Sequence, residues 1–223
     1  MTAPTSSAAH PEPLSPTTGE PVSVVARRNH LAIWLIIVSC TTGTVALLVA
    51  YSYLWSLNVS GGWAPTPGQA NWAADWPFWA IALGMVIASL LLWRSWRSMT
   101  SGNAKASAAV ASLSTLLILV CFIAQIFQIA TFPFGPQDGA YASAALWLAL
   151  ANCIWLSLAM FLGTAIMNRI RKQCITPSNA SQIRLVAMFV TYLCVAALIG
   201  ALFTTVMKAS PNENPPAFGT FQS

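Results

Sequence analysis

The chain has 223 residues, of which 57% are hydrophobic and only 7% charged, with a net charge of +5. A soluble domain carries roughly 25% charged residues, so these charges exclude a water-exposed surface of this size, and lipid must be the solvent for most of the chain. The stretches outside the apolar runs are short, so there is no sizeable soluble domain, which excludes a nucleic-acid or peptide-binding module despite the basic balance.

Residues 1–29 read as a disordered cytoplasmic tail. The first 26 hold five prolines, many Ser, Thr and Ala, and no Lys or Arg, too little apolar surface to pack. No basic start leads at once into an apolar run, so a cleavable signal peptide is not expected. Five uncharged apolar stretches then follow that are long enough to cross a bilayer, which needs about 20 residues. They are Leu31–Ser56, Pro77–Trp93, Ala108–Phe132, Tyr141–Met167 and Leu185–Met207. Backbone groups cannot go unpaired in lipid, so each is expected to be helical. The expected fold is an all-α membrane protein, a five-helix transmembrane bundle over residues 30–208, with a short outer tail at 209–223.

Lys and Arg placement predicts the orientation. Arg27, Arg28, Arg94, Arg97, Lys105, Arg169, Arg171, Lys172 and Arg184 fall on one side, and Lys208 alone falls on the other with Asp75 and Asp138. The N-terminus is therefore expected inside and the C-terminus outside. The basic excess then reads as a topology signal, with contact to anionic lipid as a second reading. Trp55, Trp63, Trp72, Trp76 and Trp79 gather around the first outer loop, and Trp34, Trp93 and Trp96 at the inner boundary. An aromatic belt accounts for them; alternatively, the outer loop packs on a partner's extramembrane domain.

No Asp, Glu, Lys, Arg or His occurs inside any span, and the two histidines, His10 and His30, precede the first. Proton relays depend on intramembrane ionisable groups and haem sites in bundles on His ligands, so no catalytic, cofactor-binding or metal residue is expected in this chain. The five cysteines occur singly, without a C-x-x-C pair, and read as small hydrophobes. The polar positions that remain are amides: Gln125 and Gln128, three apart on one face of the third helix, and Asn152 deep in the fourth. Such groups commonly hydrogen-bond between helices. The row Ala145, Ala149, Cys153, Ser157 and the pairs Gly84/Ala88 and Ala196/Gly200 predict tight helix seams.

From the first span onward the chain resembles subunit III of the haem–copper cytochrome oxidases, in its five-helix form. AYSYLWS is similar to the family's A-Y-F-Y-L-R-S and precedes a Trp–Pro loop element, here WAPTPG. AQIFQI resembles L-Q-A-x-E-W, keeping Gln125 and setting Gln128 at the acid's position. FPFGPQDGAYAS resembles a turn ending D-G-x-Y-G-S, with Asp138, Gly139, Tyr141 and Ser143 identical. In the same register LALANCIWL falls on T-G-x-H-G-L-H-V, so Asn152 and Trp155 stand at its two histidines, and Cys40 within VSCTTGT stands at the first-span acid. The basic inner loop NRIRKQ is also of the family's kind. The resemblance covers residues 28 to 207 in order.

What the resemblance implies is a non-catalytic subunit of a respiratory cytochrome c oxidase in the bacterial inner membrane, rather than the mitochondrial one. It would pack against subunit I, with subunit II also in the complex, stabilise it and bind phospholipid, with haem and copper in those partners. The four replaced ionisable positions also suit a subunit III-like protein of a quinol oxidase or nitric oxide reductase. A reading from another class, a small transporter or free-standing scaffold, is at odds with an odd span count and with spans lacking a central proline.

Overall fold

The computed structural model describes Leu14 and residues 19–58, 61–65 and 71–208. Most of the N-terminal tail, part of the loop between the first two spans and the tail at 209–223 lie outside the described residues. Within them the chain is all-helical, with no strand: α1 Val22–Leu57, α2 Trp76–Thr100, α3 Ala104–Ala130, α4 Ala140–Arg171 and α5 Ser181–Val206. A short 3₁₀ turn, Pro177–Asn179, precedes α5. All five helices are long and apolar enough to cross a membrane, and the chain is a multi-pass integral membrane protein.

The helices outrun the apolar stretches. α1 begins at Val22, so residues 22–29, expected in the tail, are helical. Pro21 stands just before it, and the Pro21 carbonyl accepts from the N–H groups of Val24 and Val25 at 3.0 and 3.2 Å. Proline suits a helix start because the donor it lacks would be unpaired there, and nothing in VSVVARRN breaks the helix. α2 likewise runs seven residues past Trp93. There Arg94 and Arg97 point outward while Ser95 and Met99 are fully buried, an amphipathic extension beyond the lipid-soluble core.

α2, α3, α4 and α5 pack as a closed ring, each touching two others of the set, and α1 lies against α4 and α5. α1 is the least enclosed helix; of its residues only Ile33, Cys40 and Tyr51 are buried. The bundle has two ends: the turn end carries the α2–α3 and α4–α5 connections, and the loop end the α1–α2 and α3–α4 connections.

Hydroxyls join the helices where side chains are small. Ser95 and Ser107 each donate to the other's backbone carbonyl, at 3.0 and 2.9 Å, and Ser114 donates to the Ala88 carbonyl at 2.8 Å. Across α2 and α5, Ser89 and Trp93 both bond Thr191, at 2.8 and 2.9 Å. The Gly84/Ala88 seam is as tight as its composition suggests, because a Cβ on Gly84 would stand 2.5 Å from Cys121 Sγ. The Ala196/Gly200 pair corrects the expectation. A Cβ on Gly200 would meet nothing within 4 Å, since both residues border a cavity that no neighbouring side chain fills.

Candidate intramembrane amide site

The three amides singled out from the sequence form one hydrogen-bonded chain. Asn152 Nδ2 donates to Gln125 Oε1 at 2.6 Å, and Gln125 Nε2 donates to Gln128 Oε1 at 2.9 Å. The i, i+3 spacing puts both glutamines on one face of α3, and that face meets α4 at Asn152. Gln125 is 2% exposed and Gln128 4%. The chain of donors ends unpaired, because Gln128 Nε2 is buried and has no partner among the described residues. Three residues beyond Asn152 on α4, the buried indole nitrogen of Trp155 also has none.

Gln125, Asn152 and Trp155 line a partly open cavity of about 40 Å³, together with Thr44 of α1 and Ala196 and Gly200 of α5. One water needs roughly 10–15 Å³ of such space. Gln128 lines a different space, a groove of about 240 Å³ between α2 and α3. Gln125 thus lines the first cavity and is hydrogen-bonded to the residue that lines the groove. Cys40 belongs elsewhere: it is buried in the main core with Ile33 and does not line the cavity. Amides donate and accept hydrogen bonds without exchanging protons near neutral pH, which makes this a site for holding a ligand or a neighbour. Among the described residues no three of His, Cys, Asp and Glu stand close enough together to hold a metal ion.

Asp138, Tyr141 and Ser143 form a separate structure at the loop end. Asp138 Oδ2 accepts from the Gly135 N–H at 2.6 Å, and the Ser143 hydroxyl donates to the Pro136 carbonyl at 2.5 Å; together they fasten the α3–α4 turn. Tyr141, fully buried, packs edge-on against Trp72, Trp63 and Phe134 with ring centroids 4.7, 5.8 and 5.8 Å away. Tyr51 joins them 5.0 Å from Trp63. These rings cap the bundle.

Trp63 in this cap, and Lys208 beside it, carry more than the sequence suggests. Trp63 is 1% exposed and is an anchor, whereas Trp76, at 72%, has the exposure of a belt residue. Trp63 takes an N–H···O bond from its backbone to Asn58 Oδ1 at 3.1 Å, and its indole donates to the Lys208 carbonyl at 2.6 Å. Lys208 Nζ in turn donates to the Ala73 carbonyl at 2.7 Å and pairs with Asp75. The described part of the α1–α2 loop thus packs on the chain's own helix ends. Compared with models of known protein families and with curated proteins, the chain matches none.

Proposed function

We propose that this chain is a non-catalytic accessory subunit of the subunit III type in a respiratory haem–copper oxidase. It packs against subunit I, stabilises it and holds lipid beside it, and the redox groups belong to subunits I and II. The observation that carries the reading is the convergence of Gln125, Gln128, Asn152 and Trp155. The last three are at positions where the subunit III pattern has ionisable side chains, and they lie on two helices joined by hydrogen bonds. Removing charge there while keeping a hydrogen-bonded link preserves the helix contact and gives up proton chemistry, which suits a supporting role. The exposed flanks are mainly apolar, from Leu83 and Leu90 on α2 to Phe161 on α4, and the exposed Thr41, Thr42 and Thr164 turn their hydroxyls to their own helix backbone, so lipid and partner helices meet the same surface.

In this reading the chain sits in the bacterial inner membrane, its N-terminus in the cytoplasm and Lys208 outside, as nine basic residues against one support. The uncharged positions suit a quinol oxidase or nitric oxide reductase as well as a cytochrome c oxidase, and the partner decides between them. The test is to tag the chain, extract it in mild detergent, and record a reduced-minus-oxidised haem spectrum with mass spectrometry of co-purifying proteins. Haem absorbance with a large oxidase subunit is expected, and the haem type then names the complex. A colourless chain without a stable partner in several mild detergents would overturn the proposal in favour of a transporter or scaffold.

A further inference from the structure

All five helices meet at the cavity beside Asn152: Thr44 of α1, Ile81 of α2, Gln125 of α3, Asn152 of α4 and Gly200 of α5 line it. The wall is mainly aliphatic, yet two of its polar groups are underused. Asn152 donates through its amide nitrogen to Gln125, while its amide oxygen accepts from no described residue. That oxygen is not enclosed, whereas Gln128 Nε2 and Trp155 Nε1 are, so a small molecule in the cavity reaches the oxygen and neither nitrogen. Thr44 is the second. A threonine within a helix can turn its hydroxyl back on the carbonyl four residues earlier, as Thr41, Thr42, Thr191 and Thr204 do at 2.7, 3.0, 2.7 and 2.9 Å. Thr44 does not. Its hydroxyl meets the Tyr192 hydroxyl of α5 at 3.5 Å, longer than the about 2.5–3.0 Å of an O–H···O bond, and keeps its capacity for a closer partner.

Size and chemistry name the occupant. The space of about 40 Å³ holds about three waters at roughly 10–15 Å³ each, whereas a benzene ring binds in a cavity of about 150 Å³. No Asp, Glu, Lys, Arg or His is among its lining residues, so it offers an ion no countercharge. Apolar cavities stay dry, but a buried water makes about three hydrogen bonds where polar groups receive it. Asn152 Oδ1 accepts, and the Thr44 hydroxyl both donates and accepts; a water supplies what each lacks.

We propose that this cavity is a binding site for a cluster of about three waters that donates to Asn152 Oδ1 and bonds Thr44 Oγ1, joining α1 to α4. α1 is the helix with most to gain. It is the least enclosed, and its tie near the loop end, from the Tyr51 hydroxyl to the Met207 carbonyl, is long at 3.4 Å. A bridging water is enthalpically nearly as good as a direct hydrogen bond. The inference needs only the bundle itself, so a preparation without haem would remove the oxidase reading and leave this one intact.

Radiolytic hydroxyl-radical footprinting of the full chain in lipid nanodiscs, with any co-purifying subunits, tests it, because radicals made from a bound water oxidise the side chains beside it. Leu148 lines the cavity, and Leu116, the same residue type, is 56% exposed on α3 and faces lipid. In the wild type Leu148 is expected to oxidise several times faster than Leu116. Thr44→Val keeps the side-chain shape and removes a water ligand. Gly200→Val fills the space from α5, where a Cβ meets nothing within 4 Å. Each should bring Leu148 down towards the rate of Leu116. Equal oxidation of the two leucines in the wild type would show a dry cavity and overturn the proposal. Fast oxidation of Leu148 that survives both substitutions would place the water elsewhere and overturn it as well. If Gly200→Val does not fold, the wild type and Thr44→Val still decide the question.

Discussion

The indole of Trp63 donates to the backbone carbonyl of Lys208 at 2.6 Å, joining residues 145 positions apart. This bond ties the loop after α1 to the end of α5, and Lys208 returns the tie through Asp75 and the Ala73 carbonyl. Trp63→Phe keeps most of the ring and removes the donor, for an expected loss of about 1 kcal/mol. Trp63→Ala also empties the aromatic cap and should cost about 3–5 kcal/mol. Thermal unfolding in detergent, followed by circular dichroism, measures both; an unchanged midpoint in Trp63→Phe would mean the bond contributes nothing beyond packing.

Glycines separate the crowded places from the open ones. Gly139 has φ +123°, and a Cβ there would stand 2.7 Å from the Ala64 carbonyl oxygen. Gly139→Ala is expected to lose at least about 1–3 kcal/mol through the backbone strain alone, and the collision adds to it. Gly200→Ala faces open space, so it should be neutral or gain up to about 1 kcal/mol from helix propensity. Comparing the two unfolding midpoints checks the assignment of the cavity to Gly200's side of α5.

Gln125 is the middle of the amide chain, so its loss strands both neighbours. Gln125→Leu should destabilise the bundle by about 1–3 kcal/mol. Adding Asn152→Leu should cost less than the sum of the single changes, because the bond between them can be lost only once. A double-mutant cycle of unfolding free energies checks this. Strict additivity would show that the 2.6 Å contact is energetically silent.

Native cysteines report the orientation. Cys40, Cys121, Cys153 and Cys194 lie within α1, α3, α4 and α5, and Cys174 alone sits in a connection, half-buried after α4. In the proposed orientation a membrane-impermeant maleimide should label Cys174 only after the cells are opened. Labelling of intact spheroplasts at Cys174, lost in Cys174→Ser, would reverse the topology.

How much of this was legible before the structure depends on which forces act at each place. The five spans are plain because lipid demands long uncharged runs. Their helix ends are not, because a helix stops where its backbone is capped and a span stops where lipid does. Arg94 and Arg97 end the apolar run, yet α2 continues beneath them on Ser95 and Met99. The shared face of Gln125 and Gln128 follows from spacing alone, but the choice of Asn152 as partner depends on how α3 and α4 are rotated against each other, which no local pattern records. Ala196 and Gly200 show the complementary limit: small residues permit close approach without compelling it, and here they border a void. Trp63 and Trp76 are the same residue type at the same end of the bundle, one enclosed and one bare, and only the path of the connecting loop separates them.

That path also bears on the order in which the protein is built. α4 opens without a side-chain cap; instead the Ala140 and Tyr141 N–H groups donate to the carbonyls of Gly62 and Trp63, at 2.9 and 3.1 Å. Helix starts leave such donors unserved unless something outside the helix takes them. During synthesis the first loop is in place long before α4 emerges and can receive it directly. The acceptor for the Trp63 indole arrives only when α5 has crossed. Closure of the cap thus follows the insertion of α5, and a closed loop end marks a chain in which α5 has already crossed.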